Sequence, residues 1–192
     1  MRAFAAAFVA LLLGVTASVA MAQDRSGSND LPQKFTAFAV NLGGPRTSSG
    51  TAQVDITIKR WSTDAERERL LAALKKGQDQ ALEALRDLKP VGSIRTATSL
   101  AYDLHCAHQT PGEDGGRRIF LATDRPIAAW EAVNRPRSID YPFTFIELHM
   151  NGSGEGEGKL SLATKVIASG RIIQLENYAL QPVQLNQVRA VK

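Results

Sequence analysis

Residues 102–124 read YDLHCAHQTPGEDGGRRIFLATD. The run holds two of the chain's three histidines and its only cysteine, all within His105-Cys106-Ala107-His108. A metal or catalytic site would gather those side chains, and a β-hairpin would separate them. Pro111-Gly112-Glu113-Asp114-Gly115-Gly116 lies between two alternating flanks, and its glycine pair permits positive φ in a turn. The stretch therefore predicts strand, turn, strand. Side chains on an extended segment alternate faces. Tyr102, Leu104, Cys106 and His108 are expected on one face, with Asp103, His105, Ala107 and Gln109 on the other. The two imidazoles then diverge and do not share a metal, because zinc sites need three or four converging ligands. Cys106 and His108 share a face at about 6–7 Å between Cα atoms. That spacing allows a thiolate–imidazole pair, but no third orienting group or oxyanion hole accompanies it.

Working outward, period two governs most of the chain. Phe35, Ala37 and Ala39 share one face of a strand, and Val54, Ile56 and Ile58 alternate with polar residues on the next. The period changes after Trp61. Thr63-Asp64-Ala65-Glu66 fits a capping box, Leu70, Leu71 and Leu74 follow at helical spacing, and Gly77 ends the helix. A second helix carries Ala81, Leu82, Leu85 and Leu88 on one side and stops at Pro90. Strands return at 91–96, 100–109, 117–123, 141–150, 160–168, 171–178 and 183–188. A short helix is expected over 127–133, a loop over 134–137, and a mobile glycine-rich connection over 151–158. Strands joined by short turns, without regular strand–helix alternation, favour antiparallel order. The fold class is α+β: a curled antiparallel sheet or barrel-like meander of about eight or nine strands with one inserted αα-hairpin.

The ends bound the setting. Arg2, an apolar run over 3–15 and the small-x-small Ala20-Met21-Ala22 form the layout of a secretory signal peptide over 1–22. Residues 23–33 read as a flexible polar linker, and 34–192 as a single domain. Localisation is expected to be periplasmic or secreted, with no membrane span after signal removal. Removing 1–22 takes away one Arg and no acid, leaving 22 basic residues against 19 acidic ones, a balance of +3. The basic residues are scattered, without the basic patches interleaved with aromatics that nucleic-acid binders carry. One cysteine makes no internal disulfide, so Cys106 is expected as a small buried hydrophobe.

Asp103 and His105 share one strand face, and Glu147 and His149 share another with Phe143 and Phe145. If the two strands were neighbours, these four could cluster as a ligand-binding, metal or acid–base site. No catalytic residue, metal ligand or cofactor is assigned, since no Gly-x-Ser-x-Gly elbow, His-Glu-x-x-His pair, Cys-x-x-Cys pair or dinucleotide signature is present. The runs RWSTDAERERLLAAL, GEDGGRRIFLATDRPI and YPFTFIELHMN, with GEGEGKLSLATK after Gly152-Ser153, resemble an uncharacterised family of small exported bacterial proteins. That resemblance implies no reaction, ligand or residue role. The expected function is non-catalytic binding of a small apolar or amphipathic ligand or a cell-envelope partner, because barrel mouths and sheet–helix crevices are common ligand sites. The alternative is a metal-dependent or hydrolytic enzyme using Asp, His and Glu on the strand faces.

Overall fold

The computed structural model describes residues 31–42, 50–112, 115–125, 140–169, 172–177 and 181–191. The signal peptide expected over 1–22, most of the linker expected over 23–33, and the helix and loop expected over 127–137 lie outside these residues. Among the described residues, ten strands and two helices follow in the order β1 (Gln33–Asn41), β2 (Gly50–Ile58), α1 (Asp64–Lys76), α2 (Gln78–Arg86), β3 (Gly92–Thr96), β4 (Tyr102–Leu104), β5 (Cys106–Pro111), β6 (Arg117–Thr123), β7 (Phe143–Met150), β8 (Glu155–Ser169), β9 (Ile172–Asn177) and β10 (Val183–Val191). The α+β reading with one αα-hairpin is correct. The strand expected over 100–109 is split at His105, which raises the count to ten.

All the strand pairings are antiparallel. The sheet order is β4-β3-β2-β1-β10-β8-β7-β6-β5, with β9 paired to β8. Its two ends, β4 and β5, are consecutive in the chain with His105 alone between them. One segment therefore serves both edges. Tyr102 to Leu104 pair with β3, and Cys106 to Pro111 pair with β6. The His105 amide donates to the Ala122 carbonyl at 2.9 Å, and the Val91 amide donates to the Leu104 carbonyl at 2.7 Å. The sheet is thereby nearly closed into a barrel, which removes the exposed edges that invite aggregation. Ser62 spans the remaining seam: its amide donates to Ala107 O at 2.8 Å, and its Oγ accepts from the Ala107 amide at 3.0 Å.

Alternation packs the barrel. Phe35, Ile56, Ile94, Ile119, Leu148 and Leu185 belong to one continuous interior cluster. A second cluster lies on the outer face, where Ala81, Leu85 and Leu88 meet Ala122, Phe143 and Val166. The first helix starts as its residues dictate. Thr63 Oγ1 accepts from the Glu66 amide at 3.2 Å, and the Glu66 carboxylate accepts from the Thr63 amide at 2.9 Å. Gly77, at φ 143°, joins the two helices.

The alternation expected beyond Leu104 is corrected. Leu104 and Ala107 both lie in the interior cluster, whereas Cys106 packs against the helix-side cluster. The pleat resets at His105, as it does wherever a strand bends to change partners. The hairpin connection expected over 151–158 joins β7 to β8 but is shorter than read. Asn151 Oδ1 closes a tight turn by accepting from the Ser153 and Glu155 amides, each at 3.0 Å. Residues 155–158 already belong to β8, with Gly156 opposite Met150 and Gly158 opposite Leu148. A Cβ at Gly156 would overlap the His149 carbonyl oxygen, and one at Gly158 the Glu147 carbonyl oxygen. Glycine at these two positions permits close strand approach. Gly158→Val is expected to cost about 2–3 kcal/mol through overpacking, measured as a lower urea midpoint. An unchanged midpoint would show that β7 does not press on this position.

Candidate functional site

The four residues proposed from the strand faces do not make one site. Glu147 and His149 do meet, with Oε1 and Nε2 2.7 Å apart on the half-exposed outer face of β7. Cross-strand register sets Lys159 and Phe120 beside Glu147, and Glu157 and Arg118 beside His149. Asp103 is exposed on β4 opposite Ser93. His105 turns elsewhere: its Nδ1 lies 3.0 Å from the Leu88 carbonyl oxygen and its Nε2 3.7 Å from Asp124 Oδ1. A carbonyl can only accept, so Nδ1 carries the hydrogen and donates. Among the described residues, no three of the His, Cys, Asp and Glu side chains are grouped to hold a metal ion.

Asp124 is a partner of His105 that sequence reasoning missed. Its buried carboxylate also receives Arg86 Nε at 3.3 Å and stands 3.6 Å from Arg125 Nε. This cluster ties the end of α2, the end of β6 and the β4–β5 junction together. The hairpin expected over 102–124 already draws the two ends of that stretch together, but their contact depends on its register, which sets Cys106 opposite Ala122.

The histidines do not diverge as expected. Both reach partners on the helix side, His105 at Leu88 and His108 at Arg67 of α1, where Nδ1 is 3.2 Å from the guanidinium Nη1. Burial, followed by the neighbouring Arg67 charge, pushes the His108 pKa down. Burial pushes the Cys106 thiol up, with Ser62 bonding to it in partial opposition. The thiolate form is disfavoured, so the arrangement does not activate the sulfur. Labelling of Cys106 by a disulfide reagent at pH 8 is expected to be at least about tenfold slower in the native chain than in urea. Equal rates would mean an open, reactive thiol.

Close to this seam, Arg60 binds Glu66 through two contacts, at 2.8 and 3.0 Å, and donates to the Lys89 carbonyl at 2.7 Å. The Arg60 hydrogen bonds, then the Thr63 amide, hold the Glu66 carboxyl at about 2 against an ordinary 4.5. A pKa depressed by folding stabilises the native state above the unfolded value, and that contribution disappears as pH falls through the folded one. Native stability is therefore expected to decline between pH 4.5 and about 2 in proportion to this group. Glu66→Gln should flatten the decline in acid-titrated denaturant melts. An identical slope in the variant would remove Glu66 from the acid response.

A concave feature of the barrel lies at one mouth, and no histidine lines it. A pocket of about 350 Å³ opens there, walled by Ala39, Val54, Ile94, Leu160, Leu162 and Val183, with Thr96, Ser99 and Tyr102 also lining it. Leu42 and Leu100, next in sequence to the lining residues Asn41 and Ser99, are 70% and 89% exposed. Elsewhere in the barrel, the Arg117 guanidinium lies 5.8 Å from the centre of the Phe35 ring and donates to Gln109 Oε1 at 3.1 Å. Burial lowers the pKa of that guanidinium. No protein-family model, curated protein or solved structure matches this chain.

Proposed function

We propose that this chain is an exported, non-catalytic binding domain whose barrel mouth takes a small apolar or amphipathic ligand. The observation that carries this reading is the pocket of about 350 Å³ with its predominantly apolar wall. Pockets of this size and lining hold ligands by burying their apolar surface, while a few polar groups orient them. Thr96, Ser99 and Tyr102 supply hydroxyls for that second role. The volume corresponds to roughly ten to twelve waters at about 30 Å³ each, which suits a single ring system or a medium-length alkyl chain.

The competing enzymatic reading draws on the 2.7 Å Glu147–His149 contact. A carboxylate can orient an imidazole as a base, but this pair stands on a convex sheet face, and a base works only on a substrate held against it.

The test uses 1-naphthylamine, an uncharged apolar fluorophore at neutral pH, titrated into the protein lacking residues 1–22. Saturable binding is expected with a Kd on the order of 100 µM, in line with the size of the probe. Ala52→Trp should abolish it while leaving the melting temperature near that of the parent, because Ala52 lines the mouth and is exposed. Absence of binding by the parent protein overturns the reading. A rise in melting temperature with zinc would favour the enzymatic one.

A further inference from the structure

The β8 strand changes character half-way along. Its first part pairs with β7 and β10 and sends Leu160 and Leu162 into the mouth pocket. Its second part, from Thr164 onward, pairs with β9. Between the two, the β7–β8 register slips: Phe145 faces Ser161, and Phe143 faces Thr164. The extra residue reverses the alternation, so Leu162 packs inward while Val166 packs outward into the helix-side cluster. A bulge of this kind leaves the backbone locally unpaired and is where a strand bends. The direction of the arm beyond it must be set from outside the ladder.

Gln78, the first residue of α2, occupies that position. Its Oε1 accepts from the Val166 amide at 3.1 Å, and its Nε2 donates to the Asp140 carbonyl at 3.2 Å. The β7 ladder ends at Phe143, opposite Thr164, so the Val166 amide lies beyond the last β7 pair. The Gln78 carboxamide supplies one acceptor and one donor, which is what another peptide unit of β7 would supply there. We infer that Gln78 is a positioning residue for the barrel mouth: it fixes the β8 arm just past the bulge and so holds Leu160 and Leu162 in their ligand-binding arrangement. The inference rests on the pocket reading above and adds its control. The helical hairpin, through one side chain, governs how tightly the mouth retains its ligand.

The experiment compares the parent protein, Gln78→Ala and Gln78→Glu by 1-naphthylamine titration and by hydrogen exchange at the Val166 amide. Gln78→Ala is expected to raise the Kd and speed Val166 exchange, each by about tenfold, the ratio for loss of one part-buried hydrogen bond. Gln78→Glu keeps an acceptor for Val166 and should retain most of its protection, with a Kd between the other two. A general loss of stability would instead raise exchange across β1 and β2 as well. If the parent binds and Gln78→Ala binds equally well, the clamp is refuted and the pocket stands. If the parent does not bind, the pocket reading falls and the mouth-control inference falls with it. Unchanged Val166 exchange in Gln78→Ala refutes the clamp regardless of the binding result.

Discussion

The structure depends on one handover. At His105 the chain leaves the β3 edge and joins the β6 edge, so a single extended segment satisfies the hydrogen-bonding groups at both ends of the sheet. An open sheet of this length would expose two rows of unpaired amides and carbonyls. Closing it encloses an apolar interior in which Phe35, Ile58, Leu104 and Leu185 are at most 1% exposed. Each such side chain is worth about 1.5–3 kcal/mol in burial. The interior therefore supplies the larger part of the stability, and the seam makes that interior possible.

The polar ties converge on the same seam. Ser62 bonds Ala107 twice, Arg60 joins Glu66 to the Lys89 carbonyl, His105 holds Leu88, and Asp124 gathers His105 and Arg86. The exposed ion pairs among these contribute little individually, because water and salt screen them. Their role is geometric. They seat the helical hairpin against β5, β6 and β8, and from there α2 reaches Val166. The mouth, the bulge in β8 and the helices form one mechanical unit.

Local signals were legible in the sequence and non-local ones were not. The capping box at Thr63 and Glu66, the helix junction at Gly77 and the alternation of β1, β2 and β7 depend on neighbours a few residues away. They came out as read. The facing of Cys106 and Ala107 depends on the pleat continuing through His105, and the pleat breaks there for the sake of a distant partner, Ala122. The glycines at 156 and 158 carry the composition of a loop, yet they exist because the β7 backbone passes close by. Glu147 and His149 were found as a pair because they sit two apart on one strand. Asp124 was not found because its approach to His105 depends on the hairpin register and on the break in the pleat at His105.

The strand order has a kinetic corollary. β1 is paired along its length with β10, the first described strand with the last, and β10 in turn pairs with β8. Long sequence separation between contacting strands slows folding, because loop entropy must be lost before the contacts form. The β1–β2 pair can form early, but the ladder cannot join its two halves until Val183–Val191 has been synthesised. The sheet of this protein thus stays open, with β1 and β8 both lacking a partner along one side, until β10 is available to bridge them.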